Sequence, residues 1–534
     1  MIQGFLDEEH QVLTWRGVPY AAKADGANRW RAPQPAPMHK ESLDCTEFAP
    51  VNLQFIANEL KGSEGILTLD IYRPASAEAK LPILVYFHGG NNQNQSSRIW
   101  QGGLIAQQAK IILVSVQSRL DILGFNPLPA LKTGESLPGD SGNYGLLDQA
   151  AALDWVKANA EALGGDRENI TVTGISSGAR NIMVMLTSPY FSGKFHKAIP
   201  LSGGCTIADE QRSQEAYALK LAPLVVEDGV KATLAEAKDW LLQDLPEVRD
   251  YLLQVKAERF PTIMAGAGIR MGLFPHLYGD DRLLPKKGFA GPVANQVPLF
   301  LLASTDEFSL YCQRHPFFSN RLEELQDVHS TTAQEFAFAV KYGSLLNYYF
   351  NTHQSAQTLG DSYEAPIYVG RVNYCHEPEV VGPVFALSIG AFHGNIMPLL
   401  TDQPNPISFF NLEDKFDYPG ALELRHKFIE TISAFVHTGN PNNAALPVEC
   451  ASWKLQAQTE FVFDADQQHA KITTAPFDFD YGKFYAALDK DNSISPTSKQ
   501  IIISQVLCGR WFSEPIDKHY HNPSLWPQDA GKLM

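Results

Sequence analysis

The 534-residue sequence predicts an α/β fold built on a large, mostly parallel central sheet with helices on its faces. Short apolar, β-branched runs have the composition of parallel strands that are buried on both sides. Segments with helical periodicity separate these runs, and such alternation is typical of a doubly wound sheet with right-handed crossovers. In sheets of this kind a functional site lies beyond the carboxyl ends of the strands.

The individual elements are predicted from two sequence patterns, one for helices and one for strands. Apolar residues that recur at i, i+3, i+4 and i+7 predict an amphipathic helix, and the clearest case is Tyr144–Ala160. Continuous apolar runs of four to six residues predict buried strands. The predicted strands are Pro82–Phe87, Ile111–Val116, Asn169–Gly174, Lys197–Leu201, Pro298–Ala303 and Pro366–Val369.

Two stretches interrupt the alternation of strands and helices. Residues 205–297 are mostly helical in pattern and charged, and residues 313–360 are helical in pattern and rich in aromatic side chains. We interpret both as helical insertions that roof the active site of a single domain spanning residues 1–534. No convincing boundary occurs before about residue 485, and the tail, residues 486–534, has no assignment.

The charge balance excludes some classes of partner. Lys and Arg number 43 against 59 Asp and Glu, which gives a formal net charge of −16. Such a surface repels phosphate backbones and anionic membranes, so nucleic acid is not an expected partner. No apolar run is long enough to span a bilayer. The N-terminus lacks the basic start and apolar core of a signal peptide, which favours a cytoplasmic protein.

Cysteine and histidine usage predicts neither a disulfide framework nor a metal site. No Cys-x-x-Cys pair occurs, and in so long a chain scattered cysteines indicate reduced, mostly buried thiols. A His-x-His pair at His519 and His521 is interpreted as part of a solvated tail. We therefore expect no metal and no other cofactor.

The strongest chemical signal is the run Gly174-Ile175-Ser176-Ser177-Gly178, which follows a predicted strand and precedes a helix-compatible stretch. This is the setting of the nucleophile elbow, a sharp turn that exposes a serine at the edge of a sheet. The glycines avoid clashes within the turn, and the N-terminus of the following helix favours negative charge near Ser176. A chance match, expected in about one such chain in six, is the alternative.

A Gly-rich turn, His88-Gly89-Gly90-Asn91, directly follows another predicted strand. Acyl transfer needs backbone N–H groups aimed at the developing oxyanion, and glycine lets the backbone approach the substrate closely. We predict an oxyanion hole formed by the N–H groups of Gly90, Asn91 and Ser177. The alternative is an ordinary turn at a strand end.

Further segments accompany these two motifs in chain order: Gly17-Val18-Pro19-Tyr20-Ala21, Arg29-Trp30, Ser63-Glu64, Arg119, Gly124-Phe125, Ser141–Gln149, Ala152–Val156, Gly164-Gly165-Asp166, Gly174–Ala179 and Thr438–Asn442. Together they resemble the type-B carboxylesterases, the family that includes the cholinesterases and bacterial carboxylesterases. The resemblance covers roughly residues 10–485. It implies the α/β-hydrolase fold, ester hydrolysis and a triad in the order serine, glutamate, histidine.

The resemblance also implies the two remaining members of the triad. Glu307 matches the family's acid, which follows a strand, and His393 within Gly390–Asn395 matches its histidine. Either carboxylate of the Asp306-Glu307 pair meets the chemical need to orient an imidazole, so Asp306 stays open as the alternative acid. His88 is interpreted as structural, because the working groups of its motif are backbone N–H groups.

Several positions depart from the family's pattern. Phe308 replaces the glycine after the acid, and Asn395 replaces the usual glutamate behind the histidine. Ile175 replaces the glutamate before the nucleophile, which removes a charge that helps a cationic alcohol. The cysteines of the family's first disulfide fall at Asn52 and Ile66, and the loop between them is too short to carry the aromatic choline site.

Supporting roles are expected for a second group of residues. Ser202 matches a family serine near the triad acid, and its alternative interpretation is an ordinary turn serine. Gly89 and Ile175 flank the predicted oxyanion hole and nucleophile. The resemblance further implies a structural ion pair between Arg29 and Glu64.

The sequence thus predicts a serine esterase that hydrolyses small neutral carboxylic esters through an acyl-enzyme. An amidase or carbamate hydrolase shares the first chemical steps and stays an alternative. A non-catalytic binding module of the same fold is the third interpretation. Such modules typically lack a triad member, whereas this chain keeps all three.

Overall fold

The computed structural model describes residues 2–37, 41–264, 266–360, 362–403, 411–412, 414–454, 457–523 and 525–526. The chain divides into two compact units, the first comprising Met1–His196 with Thr206–Gln296 and the second Lys197–Cys205 with Val297–Met534. The single domain expected from the sequence stays a prediction. Within the described ranges no helix is both long and apolar enough to cross a membrane.

A mixed sheet forms the centre of the first unit. The strands Gly165–Ile175, Leu81–Phe87 and Ile112–Gln117 are parallel neighbours in that order. Every residue of the last two is buried, as expected for parallel strands covered on both faces. Three strands extend the sheet in antiparallel order: Thr68–Pro74, Val12–Pro19 and Phe5–Asp7.

Helices of the first unit follow the predicted alternation. The helix expected at Tyr144–Ala160 is confirmed as Tyr144–Asn159, and Ser177–Thr187 begins two residues after its strand ends. Other helices are Gly103–Ala109, Asp121–Gly124, Glu210–Glu227, Leu234–Leu241 and Pro246–Gln254. Short strand pairs are Ile2–Gln3 with Leu43–Asp44, Gln54–Ile56 with Glu59–Lys61, and Ala208–Asp209 with Tyr278–Gly279.

The insertion predicted at residues 205–297 is helical only as far as Gln254. Between residues 255 and 297 the described residues form short 3₁₀ turns and a two-residue strand, so the helical prediction is wrong there. The physical reason is composition. This stretch contains repeated prolines and glycines, such as Pro261, Gly266 and Gly268, which interrupt helices.

The second unit contains four parallel neighbours, in spatial order Lys197–Leu201, Leu299–Ser304, Ile367–Val372 and Thr459–Ala465. An antiparallel strand, Ala470–Pro476, pairs with the last of them. The first three confirm the predicted strands within a few residues. Ala303 and Ser304 end a fully buried strand, which brings Glu307 to its carboxyl end.

Long helices accompany this sheet. The helix Thr331–Tyr349 continues through a π-helical turn, Phe350–Gln354, into Ser355–Leu359, and this confirms the helical insertion predicted at residues 313–360. Shorter helices and the long helix before the last strands are Ser309–Gln313, Pro316–Ser319, Pro378–Val381, Pro383–Ser388 and Pro419–Thr438.

The C-terminal tail, which the sequence left unassigned, contains several short helices among its described residues. It contains Tyr481–Lys490, Pro496–Ile501, the π turn Ile502–Val506 and Glu514–His519. Phe512 is buried, and its ring meets that of Phe308 edge-on at 5.9 Å. The described part of the tail therefore contributes buried side chains to the core of the second unit.

Candidate active site

Ser176 lies between the strand Gly165–Ile175 and the helix Ser177–Thr187, with φ 58° and ψ −114°. These angles lie outside the left-handed helical region, and a non-glycine residue held in so sparsely populated a region costs about 1–3 kcal/mol. Ser176 is partly exposed, whereas Ile175 and Ser177 on either side are buried. The turn therefore presents one hydroxyl and hides its neighbours, as a nucleophile elbow does.

Close packing explains the glycines of the elbow. A Cβ on Gly178 would lie 2.1 Å from the carbonyl oxygen of Phe87, and one on Gly174 would lie 2.8 Å from the same oxygen. A Cβ on Gly89 would lie 3.2 Å from the Cβ of Ser176. The Gly-rich turn thus runs directly against the predicted nucleophile. Residues 88–92 and 174–181 are called the nucleophile side below.

The backbone of the Gly-rich turn is left-handed at three consecutive residues, Gly90 (φ 87°), Asn91 (φ 57°) and Asn92 (φ 57°). Among the described residues, none accepts a hydrogen bond from the N–H groups of Gly90, Asn91 or Ser177. The N–H of Asn92 instead donates to Ser177 Oγ at 2.9 Å. The three N–H groups predicted to face an oxyanion are therefore the ones left available.

A side-chain network ties this turn to the nucleophile helix. The amides of Asn92 and Asn181 exchange two hydrogen bonds of 2.9 and 3.0 Å, and Arg180 Nη2 donates to Asn91 Oδ1 at 2.7 Å. Asn92, Asn181 and Arg180 are all buried. The sequence analysis did not predict roles for Arg180 and Asn181. The available signal was their position four and five residues after Ser176, in the first turns of the helix that follows it.

Part of the first insertion covers the turn. Gln93 Nε2 donates to the carbonyl oxygen of Met264, and the N–H of Ala267 donates to Gln93 Oε1, each at 3.3 Å. A residue outside the insertion also contacts the turn: the N–H of Asp121 donates to the carbonyl oxygen of Asn92 at 2.7 Å. Burial raises the pKa of the Asp121 carboxyl well above its ordinary value. The turn is therefore covered on one side, while Gly90 and Asn91 stay partly exposed.

His88 has a structural environment. Its Nδ1 lies 2.9 Å from the carbonyl oxygen of Gly89, and its ring is buried. Burial lowers the pKa of His88 to about 4, so the ring is neutral at ordinary pH. This agrees with the structural role expected for it.

In the second unit, Glu307 and His393 form a buried pair. Glu307 Oε2 lies 2.5 Å from His393 Nδ1, and the carboxyl is fully buried. The other oxygen of Glu307 accepts from Ser202 Oγ at 2.5 Å and from the N–H of Ser304 at 2.8 Å. His393 Nε2 is buried and has no partner among the described residues. The imidazole is thus oriented through one nitrogen and left free at the other.

Asp306, the alternative acid, has different partners. His376 Nδ1 lies 2.9 Å from Asp306 Oδ2, and the N–H of Ala391 donates to the same oxygen at 2.9 Å. The N–H of Asp306 in turn donates to the carbonyl oxygen of Ala391 at 2.8 Å. Hydrogen bonding to Asp306 raises the pKa of His376. Asp306 therefore fixes the chain just before His393, while Glu307 contacts the imidazole. Residues 304–308 and 390–395 are called the acid–histidine side.

Two departures from the family's pattern have local compensation. Phe308 has φ −90°, an ordinary value that needs no glycine. Its ring occupies the space beside Gly343, where a Cβ would lie 2.3 Å from Phe308 Cδ1. Asn395 is fully buried, and its Nδ2 donates to the carbonyl oxygen of Tyr374 at 2.7 Å. A neutral amide thus anchors the chain after His393.

The short loop that stands in place of the family's first disulfide is closed by hydrogen bonds. Asn52 Nδ2 donates to the carbonyl oxygen of Ile66 at 2.7 Å, and the N–H of Ile66 donates to Asn52 Oδ1 at 2.8 Å. All six cysteines are free thiols. The ion pair implied for Arg29 and Glu64 is confirmed, with N–O distances of 2.5 and 2.9 Å.

Solved structures share this architecture and define the chain as an α/β hydrolase. A PNB esterase matches with a TM-score of 0.67 at 25% identity, over 89% of this chain and 95% of that one. A carboxylesterase of Geobacillus stearothermophilus matches in fold with a TM-score of 0.69 at 24% identity, over 91% of this chain and 98% of that one. The fold class predicted from the sequence is confirmed.

The family can be stated more narrowly. A model described as the carboxylesterase family matches residues 1–316, and the chain belongs to that family of carboxylic ester hydrolases. The para-nitrobenzyl esterase of Bacillus subtilis is 30% identical over 312 residues, which are 57% of this chain and 61% of that protein. Carboxylesterase 5A of Canis lupus familiaris is 27% identical over 502 residues, which are 84% of this chain and 80% of that protein.

Proposed function

We propose that the chain is a serine carboxylesterase that hydrolyses small, neutral carboxylic esters through an acyl-enzyme. Ser176 is the nucleophile, His393 its base and Glu307 the acid that orients the histidine. The observation that carries the proposal is the backbone of Ser176, strained at φ 58° and partly exposed between a strand and a helix. Strain of this kind persists only where surrounding structure imposes it.

In the proposed reaction His393 Nε2 removes the proton of Ser176 as Oγ bonds to the ester carbonyl carbon. The carbonyl oxygen becomes an oxyanion that the N–H groups of Gly90, Asn91 and Ser177 stabilise. Removal of one such donor costs about 3–4 kcal/mol in a serine protease that uses the same kind of oxyanion hole. The intermediate collapses as the C–O bond to the alcohol breaks and His393 returns the proton to the leaving oxygen.

Water then completes the cycle. His393 accepts a proton from the water that attacks the acyl-enzyme, and a second oxyanion occupies the same donors. Collapse releases the carboxylic acid and restores the proton to Ser176. Glu307 supports both halves of the cycle, because its contact with Nδ1 fixes the tautomer and stabilises the imidazolium.

Labelling with a fluorophosphonate tests the nucleophile directly. We expect one adduct per chain by intact mass, located on Ser176 by peptide analysis. The Ser176→Ala protein should remain unlabelled, and Ser192→Ala, at an exposed serine of the same unit, should be labelled like wild type. An adduct on another residue would contradict the assignment of Ser176, and the absence of any adduct on folded protein would favour a non-catalytic binding module.

A matched pair of substrates tests the reaction class. We expect the ester p-nitrophenyl butyrate to be hydrolysed and the anilide of the same acid to be hydrolysed far more slowly. Comparable kcat/KM values for the two would favour the amidase alternative. A cytoplasmic location stays a prediction of the sequence.

A further inference from the structure

Asp121 places a carboxyl directly behind the Gly-rich turn. Its side chain is buried, and its N–H donates to the carbonyl oxygen of Asn92 at 2.7 Å. The backbone of Asp121 is left-handed, with φ 51°, a conformation that is uncommon outside glycine. Nothing in the proposed reaction uses this carboxyl. A buried acid on an unusual backbone, next to reactive groups, therefore needs an explanation.

The surroundings of the carboxyl favour its protonated form. It accepts hydrogen bonds from the side chain of Gln93 and from the N–H of Ile122, while its Oδ1 has no partner among the described residues. Neither a lysine nor an arginine is among the described groups that influence its protonation. A buried carboxylate with an unpaired oxygen and no cation beside it is very costly, so such an acid stays neutral instead.

The titratable groups that face Asp121 are two phenols, Tyr217 and Tyr278. Both are fully buried, and burial raises the pKa of each well above its ordinary value. Neither phenol therefore ionises at neutral pH. Asp121 is the one group of this trio whose charge is decided near the working range of the enzyme, and burial raises its pKa well above the ordinary value.

Gln93 connects this carboxyl to the proposed oxyanion donors. Its side chain is buried, and its Oε1 accepts from Asn91 Nδ2 at 3.0 Å. The other end of the Asn91 side chain, Oδ1, accepts from Arg180 Nη2 at 2.7 Å. Asn91 is thus held at both ends of its amide, and its N–H is one of the donors proposed for the oxyanion. Asp121 is linked to this donor through Gln93 alone.

The carboxyl also decides which way the amide of Gln93 faces. An acceptor at Asp121 keeps the Nε2 end on that side, where the carbonyl oxygen of Met264 accepts from it as well. The Oε1 end is then left for its two donors, Asn91 Nδ2 and the N–H of Ala267. A neutral acid provides this acceptor without placing a negative charge beneath a site where an oxyanion develops.

We propose that Asp121 is a positioning residue for the nucleophile side: in its neutral form it orients Gln93, and Gln93 fixes Asn91 as an oxyanion donor. The positioning role rests on the proposed function, because it matters only if an oxyanion forms at Asn91. The protonation of Asp121 in the folded protein does not depend on that function and can be measured separately.

Substitutions at Asp121 test the positioning role. Asp121→Gly removes the carboxyl without backbone strain, because glycine adopts φ 51° freely. We expect kcat for p-nitrophenyl butyrate to fall about tenfold with little change in KM, and affinity for a trifluoromethyl ketone, an oxyanion-forming inhibitor, to fall in parallel. Asp121→Asn keeps a neutral acceptor and should recover most of this loss. Asp239→Asn, at an exposed acid of the same unit, is the control.

Two kinetic outcomes would overturn the positioning role. One is a kcat of Asp121→Gly equal to that of wild type. The other is an Asp121→Asn protein as impaired as Asp121→Gly, since this would mean that the carboxyl acts through its charge. If Asp121→Gly does not fold, Gln93→Leu removes the same link while Asp121 is kept, and it should show the same loss of kcat at unchanged KM. Wild-type kcat in Gln93→Leu would equally contradict the role.

Infrared difference spectroscopy tests the neutral state without relying on activity. The spectrum of wild type minus that of Asp121→Asn at neutral pH should show the C=O stretch of a protonated carboxyl, which the variant lacks. A carboxylate signal in its place would overturn the neutral role of Asp121. Folded wild-type protein without esterase activity would contradict the proposed function instead, whatever the infrared result.

Discussion

The nucleophile side and the acid–histidine side hold their proposed reactive groups by different means. On the nucleophile side, the backbone conformation positions the serine: Ser176 has strained angles, and Gly178 packs where any side chain would clash. On the acid–histidine side, Gly390 (φ 58°) and Gly394 (φ 108°) also have positive φ, but the reactive groups are held by charged and polar side chains that contact one another. Glu307 bonds to His393 and Ser202, which lie far from it in the sequence.

This difference explains why the two sides tolerate different changes. A backbone-built site depends on residues that cannot gain a side chain, and its donors are N–H groups that no side-chain substitution removes. A side-chain-built site depends on individual functional groups, each of which one substitution deletes. We therefore expect the truncation of side chains to cause steep losses on the acid–histidine side and, Ser176 apart, smaller losses on the nucleophile side.

The largest effects should come from the reactive groups themselves. Ser176→Ala and His393→Ala should each lower kcat by about 10⁴–10⁶, because the members of a triad act as a unit. Steady-state kinetics on purified, folded protein measures this. His426→Ala, at an exposed histidine of the second unit, is the matched control and should retain wild-type activity. Retention of more than about a tenth of the activity by Ser176→Ala would contradict the assignment of Ser176 as the nucleophile.

Substitution of the two adjacent acids, Asp306 and Glu307, tests which of them orients His393. Glu307→Gln should lower kcat by about 10⁴, because an amide no longer holds the correct imidazole tautomer. Asp306→Asn should cost far less, since its carboxylate bonds to His376 and to a backbone N–H rather than to His393. The measurement is kcat/KM for both variants with circular dichroism as a folding check. The opposite ranking would transfer the role to Asp306.

The asparagine network tests the nucleophile side. Asn181→Ala removes both hydrogen bonds to Asn92 and should loosen the Gly-rich turn, lowering kcat about tenfold to a hundredfold with little change in KM. Affinity for a trifluoromethyl ketone, which forms an oxyanion on the enzyme, should fall in parallel. Asn159→Ala, on another helix of the same unit, is the control. A rise in KM alone would indicate a binding role instead.

Substrate charge distinguishes this nucleophile side from that of a choline-selective esterase. Ile175 is apolar and buried, and the loop closed by Asn52 and Ile66 leaves little room for an aromatic platform. Cation–π attraction, worth about 2 kcal/mol or roughly thirtyfold in affinity, should therefore be missing. The comparison is kcat/KM for butyrylcholine against 3,3-dimethylbutyl butyrate. A preference above about tenfold for the choline ester would reveal a cation site.

The smallest expected effect concerns stability and pH. The hydrogen bond with Asp306 raises the pKa of His376 in the folded state. The pair therefore stabilises the fold fully below the unfolded pKa of about 6.5. This contribution is lost as the pH rises through the pKa of His376 in the folded state. His376 is partly exposed, so the contribution should stay below about 1 kcal/mol. Urea unfolding of wild type and His376→Gln should differ at about pH 5.5 and converge at about pH 9. A difference that grows with pH would contradict this.

Much of the fold was predictable because its signals are local. Buried strands leave continuous apolar runs, and the glycines around Ser176 leave a motif, so both appear in a single sequence. Which of Asp306 and Glu307 contacts His393 could be learned only from the structure, because two adjacent carboxylates differ only in the directions they face. Asn181 and Phe512 were missed, since their contacts join segments that no local pattern connects. The non-helical stretch after Gln254 was mispredicted, because its charged residues resemble a helical surface while its prolines and glycines interrupt helices.

The closed loop between Asn52 and Ile66 has a consequence for how this enzyme folds. Where a disulfide closes a loop, folding waits for oxidation and reshuffling, which take seconds to hours. Here two hydrogen bonds of 2.7 and 2.8 Å close it, and they form as soon as the chain segments meet. The loop therefore needs neither oxidant nor isomerase, and it stays closed whatever the redox potential of the surrounding solution.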